Sequence, residues 1–115
     1  VLESALDVLR QRFGVEPRAV EAVIGPAVGG CCYEVGPEVR DAFRVRTGST
    51  TATAWSRGAR REHVDLRVAA RLLLDAAGVP TIHVLGPCTA CGAGYHSFRR
   101  DGRRTGRQLS FVGWA

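Results

Sequence analysis

Two short glycine-rich loops do most to constrain the fold of this chain. They read GPAVGGCCYEVG at 25–36 and GPCTACGAG at 86–94, and each follows directly on a short apolar run, Ala19 to Ile24 and Thr81 to Leu85. Both runs suit strands, and both stop at Gly-Pro, where proline has no N–H to offer a sheet. The first loop packs four glycines into twelve residues. That density demands unusual backbone angles or the close approach of another group.

The remaining elements follow from periodicity. Leu2, Leu6, Leu9 and Phe13 recur at helical spacing and predict an amphipathic helix over 1–13 that stops at Gly14. Glu16-Pro17 opens a short helical turn, and Cys32 to Val35 suits a second short strand. Pro37 starts a helix through Phe43, with Val39 and Phe43 one turn apart. Thr47 to Ser56 reads as a loop that Arg57 to Arg61 continues. His63 to Ala77 is the strongest helical stretch; Val64, Leu66, Val68, Leu72 and Leu73 form its apolar side, Asp65 suits the dipole at its start, and Gly78 closes it. Tyr95 to Arg100 reads as a strand leading to a turn at Asp101-Gly102, and the alternation QLSFVGW at 108–114 as a final strand. This order predicts an α+β fold, mixed β-sheets with flanking helices, within one domain over 1–115.

A hydrophobic share of 45% supplies a core, and no apolar run approaches the roughly 20 residues of a membrane span. The opening Val-Leu-Glu-Ser is acidic and amphipathic, unlike a secretion leader, which predicts a soluble cytoplasmic protein. The chain has no Met and starts on a helical stripe, as if cut inside a helix. Its net charge of +5 raises the prospect of a nucleic-acid partner. All 16 cations are Arg, however, a skew expected of GC-rich coding, and no nucleic-acid-binding motif accompanies them. An arginine-rich nucleic-acid-binding module therefore stands only as an alternative.

Four cysteines, Cys31, Cys32, Cys88 and Cys91, allow a structural zinc site. The second pair has a common ligand spacing. The first does not, because adjacent cysteines rarely both reach one ion, and buried thiols in tight turns are the simpler reading. A structural domain stapled by zinc on these four cysteines is thus a second alternative. His63, His83 and His96 are dispersed; His96, beside Tyr95 and Ser97, is the one placed to line a pocket. Arg99, Arg100, Arg103, Arg104 and Arg107 surround Asp101-Gly102 and Thr105-Gly106. Guanidinium groups on such a hairpin suit a phosphate.

Taken together, GPAVGGCCYEVGPEV, HVDLRVAARLLLDAAGV and CTACGAGYHSFRRDGRRTGRQLSFVGW resemble the YfiH family. Its members are also described as multicopper polyphenol oxidases, laccase-domain proteins and purine nucleoside phosphorylases. The specific signals are Cys-Tyr-Glu-Val at Cys32 to Val35, Asp65-Leu66, Cys88-Thr89, and Arg99-Arg100-Asp101-Gly102 followed by Thr105-Gly106-Arg107. The resemblance is weakest over Thr47 to Arg61. It implies the C-terminal portion of a layered, here incomplete, YfiH-like domain from a cytoplasmic, monomeric enzyme. It also implies zinc or copper held by one Cys and two His, with purine nucleosides and phosphate as partners. Phosphorolysis, adenosine deamination and, in some members, editing of peptidoglycan precursors are the implied activities. The family's ligand motifs (Gln-Val-His-Gly, Ala-Asp-Cys and Ala-His-Ala-Gly-Trp-Arg-Gly) precede the matched segment and do not occur here. The resemblance thus implies no catalytic residue and no metal ligand in this chain, only pocket walls. These would be Gly29, Gly30, Cys32, Tyr33, Ser97, Arg99 and Arg100, with Arg107 as the phosphate-binding candidate. By itself the chain is expected to be inactive, and poorly soluble through open sheet edges.

Overall fold

The computed structural model describes residues 1–113. Helix α1 (Leu2–Phe13) ends as its spacing predicts, with Gly14 in the left-handed region at φ 65°. A 3₁₀ turn, Pro17–Ala19, leads into strand β1 (Glu21–Ile24). After the first glycine-rich loop come β2 (Glu34–Val35) and α2 (Pro37–Thr47), a turn longer than the periodicity suggests. Strands β3 (Trp55–Arg57) and β4 (Glu62–Val64) precede α3 (Leu66–Ala76) and β5 (Thr81–Val84). A single helical turn, α4 (Phe98–Asp101), follows the second loop.

The strands form two small sheets. Strands β1 and β5 pair in parallel, Glu21 opposite Thr81 through Ile24 opposite Val84. Strands β2, β4 and β3 form an antiparallel sheet in that order. Helix α3 lies between two cores and serves both. Its Leu66, Ala69 and Leu72 join Val35, Ala54 and Val64 on the antiparallel side, where Phe43 meets Trp55 edge to face at 5.5 Å. Its Leu74 joins Leu6 of α1 and Val79 on the parallel side. Both loops therefore emerge side by side from the C-terminal ends of neighbouring parallel strands, the usual location of sites in such sheets.

Five expectations are corrected. His63 and Val64 do not begin a helix; they lie in β4, opposite Glu34 and Trp55–Ser56. The apolar positions 64 and 66 satisfy a period of two as well as a helical stripe, and sheet pairing decides between them. The stretch from Thr47 to Ser56 and on to Arg61 is not only loop: α2 reaches Thr47, Ala52–Ala54 is a 3₁₀ turn, β3 spans Trp55–Arg57, and a tight turn closes with Gly58 N–H donating to the Arg61 carbonyl at 2.9 Å. Tyr95 to Arg100 is not a strand, because Ser97 caps a helical turn by accepting from the Arg100 N–H. No hairpin at Asp101-Gly102 therefore carries the arginines; Gly102–Arg104 is a 3₁₀ turn. Residues 108–113 form no strand, and Trp114 lies outside the described residues.

Candidate functional site

The two loops are fastened to each other by Asp65 and Arg67. Asp65 caps α3, accepting from the N–H groups of Arg67 at 3.0 Å and Val68 at 3.3 Å. Its other oxygen accepts from the Gly30 N–H at 3.2 Å and from Arg67 Nη2 at 3.1 Å. Arg67 Nη1 then donates to the Gly86 carbonyl at 3.1 Å, so one ion pair ties the first loop to the second. Burial works against the Asp65 carboxylate. The Arg67 guanidinium and the three backbone N–H donors outweigh it and hold the group below the usual carboxylate range. His63 completes the fastening from below: its Nδ1 lies 2.7 Å from the Gly30 carbonyl. A carbonyl only accepts, so this nitrogen carries the proton.

A glycine at position 29 leaves room for the Arg67 guanidinium. A Cβ on Gly29 would come within 2.9 Å of Arg67 Nη2 and 3.3 Å of the Cys88 Cβ. Gly29→Ala is therefore expected to cost about 1–3 kcal/mol by displacing Arg67. The measurement is a urea midpoint, and an unchanged midpoint would mean that the guanidinium yields freely.

All four thiols converge where the loops meet. Their sulfurs lie within 4.8 Å of one another. Cys91 Sγ is 3.5 Å from Cys31 Sγ and 3.4 Å from Cys32 Sγ. Spacing alone argues against adjacent Cys31 and Cys32 sharing one centre. The turn at 30–32 overcomes it, with Cys32 and Tyr33 donating to the Gly29 carbonyl at 3.0 Å. Cys88 is buried and accepts from the Gly29 N–H at 3.2 Å. Burial disfavours its thiolate, but the N–H groups of Gly29, Cys91 and Ala90, with the Cys31 thiol, outweigh that and bring Cys88 down to about 6. Cys91 raises the Cys31 thiol through their mutual contact.

Arg100 holds the second loop in shape. Its Nη1 donates to the carbonyls of Thr89 at 3.2 Å, Ala90 at 3.5 Å and Gly92 at 2.8 Å, and its Nη2 to that of Tyr95 at 2.8 Å. Asp101 pairs with the same guanidinium at 2.7 Å. The sequence offers Arg100 to a ligand; acceptors within the protein occupy it instead.

Beside the thiols lies an open cleft of about 570 Å³ lined by Val28, Tyr33, Leu66, Thr89, His96, Ser97, Phe98 and Arg99. Arg99 stacks over the Tyr33 ring at 5.0 Å and donates to the Glu34 carbonyl at 3.0 Å. Of the residues singled out from sequence, this wall brings together Tyr33, Ser97 and Arg99, with His96. Gly29 and Gly30 lie under Asp65, and Cys32 joins the thiols. Arg107 is exposed, with Nη1 on the neighbouring Gly106 carbonyl. Sequence reasoning misses Arg67, toward which only the helix-start signal at Asp65 points, and names Thr89 only within the Cys88-Thr89 signal.

The chain, with its glycine loops at adjacent strand ends, matches the family model described as multi-copper polyphenol oxidoreductase laccase over residues 1–115. The chain belongs to this family. It is 39% identical over 106 residues to the purine nucleoside phosphorylase YlmD of Geobacillus stearothermophilus, covering 89% of this chain and 39% of that protein. It is 33% identical over 105 residues to the adenosine deaminase RL5 of an unknown prokaryotic organism, covering 88% of this chain and 40% of that protein. The crystal structure of Bacillus licheniformis YfiH superposes with a TM-score of 0.80 at 34% identity, covering 89% of this chain and 40% of that one. The chain thus spans about 40% of the length of these relatives. No helix among the described residues is long and apolar enough to cross a membrane.

The family description names copper, so the donor set is informative. Copper centres in electron transfer combine imidazole nitrogen with sulfur. Among the described residues no histidine joins a group of three or more metal-ligating side chains. The residues present do not fit an oxidising copper centre.

Proposed function

We propose that this chain is the C-terminal portion of a cytoplasmic, monomeric purine nucleoside phosphorylase and contributes one wall of its nucleoside and phosphate pocket. The observation that carries the reading is the cleft lined together by Arg99, Tyr33, Phe98 and Ser97, with the Arg99 cation over the Tyr33 ring. In phosphorolysis a phosphate oxygen attacks the ribose C1′, the glycosidic C–N bond breaks, and its electron pair leaves with the purine, which takes up a proton. The rings and Leu66 offer apolar surface to a flat base. Arg99 offers charge-assisted hydrogen bonds to phosphate, and Ser97 and Thr89 offer hydroxyls. His96 lines the same cleft, and its imidazole offers a hydrogen-bonding nitrogen there. Arg107 would meet phosphate from the chain that follows His96. Gly29, Gly30, Cys32 and Arg100 would act from behind the wall, by shaping the two loops. The family's zinc or copper would be held by residues outside this chain. Bound zinc supplies an activated water for deamination of adenosine.

In the longer protein, Arg99→Ala is expected to lower kcat/KM for phosphorolysis of inosine by about 100-fold, mainly through the KM for phosphate. Unchanged kinetics would remove Arg99 from the pocket. A comparison of this chain alone with the longer protein tests the division of labour; equal turnover by both would overturn it.

A further inference from the structure

We propose that Cys31, Cys32, Cys88 and Cys91 form a tetrathiolate zinc site that staples the two glycine-rich loops together, separate from any metal used in nucleoside chemistry. Tetrahedral zinc with Zn–S bonds of about 2.3 Å sets its sulfurs about 3.8 Å apart. The four sulfurs here lie within 4.8 Å of one another, with two edges at 3.4 and 3.5 Å. The widest separation therefore has to close by no more than about 1 Å to accept the ion.

The site is built independently of its occupant. The Gly29 N–H donates to the Cys88 sulfur, as backbone amides do around structural zinc. The second loop closes its own knuckle, with the Gly92 N–H donating to the Cys88 carbonyl at 2.9 Å. Arg100 holds that knuckle through the carbonyls of Thr89, Ala90 and Gly92. The Thr89 N–H donates to the Ala27 carbonyl at 3.1 Å, which binds the knuckle to the first loop. Asp65 and His63 fix the two ends of the Gly30 residue next to Cys31.

Chemistry selects the ion. Four sulfurs and no nitrogen or oxygen donor favour a soft d10 cation in tetrahedral geometry. A tetrathiolate zinc carries a net charge of −2, and the Arg67 side chain sits beside Cys88 across Gly29 to offset part of it. Cys31 and Cys91 are exposed, which leaves the ion a way in. On binding, every thiol that still carries its proton releases it to solvent and four Zn–S bonds form, with no change of oxidation state. A disulfide would use two of the four thiols and needs an oxidant; zinc uses all four.

The test is metal content and spectroscopy, so its outcome does not depend on turnover. The purified protein, dialysed free of loose metal, is expected to hold one zinc per chain at this site. Cobalt(II) exchanged into it is expected to show sulfur-to-metal charge transfer and the intense visible bands of tetrahedral sulfur coordination. Cys88→Ser and Cys91→Ser should each lower zinc affinity at least tenfold. In the longer protein, where the family's own ion adds to the count, each should remove one equivalent and leave the other. Removing zinc with a chelator should lower the melting temperature of the wild-type protein, which needs no variant to fold. The proposal is overturned by four freely titratable thiols with an unchanged melting curve in chelator. It is equally overturned by a Cys32–Cys91 or Cys31–Cys91 disulfide in protein purified under reducing conditions, by stoichiometric iron, or by copper(I) retained in preference to zinc when both are supplied.

Discussion

Asp65→Ala is expected to destabilise the fold by about 2–4 kcal/mol, read as a shift of the urea midpoint at constant slope. The carboxylate does three separate jobs. It caps α3 through two N–H groups, it holds the Gly30 N–H, and it neutralises Arg67. Loss of a cap alone costs about 1 kcal/mol. The remainder comes from Arg67, whose side chain is about one-fifth exposed and would keep its charge with no partner but the Gly86 carbonyl. Asp65→Asn retains the cap and loses the charge, so it should recover part of the stability. The same residue sets an acid dependence. Its folded-state carboxyl lies below the ordinary range, so its contribution is complete above about pH 4 and is lost as pH falls through the folded value. The wild-type stability curve should therefore drop in acid more steeply than that of Asp65→Asn. Parallel curves would show that the ion pair is immaterial.

Leu74→Ala should cost about 3 kcal/mol. Leu74 is 6% exposed and packs with Leu6 and Val79, where α1, α3 and the chain entering β5 meet. Leu2 and Leu9 of α1 and Ile24 and Ile82 of the strands pack around this core, so its walls cannot collapse on a cavity without moving α1. Thermal denaturation checks it, and a loss under about 1 kcal/mol would show that Leu2 and Leu9 refill the space.

Much of the fold can be read from local pattern because the deciding forces are local. The stop of α1 at Gly14 and the start of α2 at Pro37 follow from backbone chemistry at single residues. The strands β1 and β5 follow from their β-branched runs and the Gly-Pro that ends each. The errors arise where a distant partner decides. His63 belongs to β4 because Glu34 and Ser56 lie opposite it, and neither neighbour is visible in a window around 63. The stretch 95–100 reads as a strand leading to a turn until Ser97 takes the role of cap. The thiol site is the least accessible. Spacing argues against adjacent Cys31 and Cys32, and only the pairing of β1 with β5, some sixty positions apart, carries them to Cys88 and Cys91. Tyr33 and Arg99 come forward only through the family resemblance, and nothing in the sequence reveals that they stack at 5.0 Å.

Arg100 acts beyond its own hydrogen bonds. The carbonyls of Thr89 and Ala90 that it gathers belong to the same peptide units as the N–H groups of Ala90 and Cys91, which are directed toward the Cys88 sulfur. No peptide here is cis, so each unit points its oxygen and its hydrogen in opposite directions. One guanidinium, pulling the oxygens to its side, thereby turns the positive ends of two peptide dipoles onto the sulfur. A lysine at this position would present a single point of charge to one or two of those oxygens and leave the dipoles free to swing.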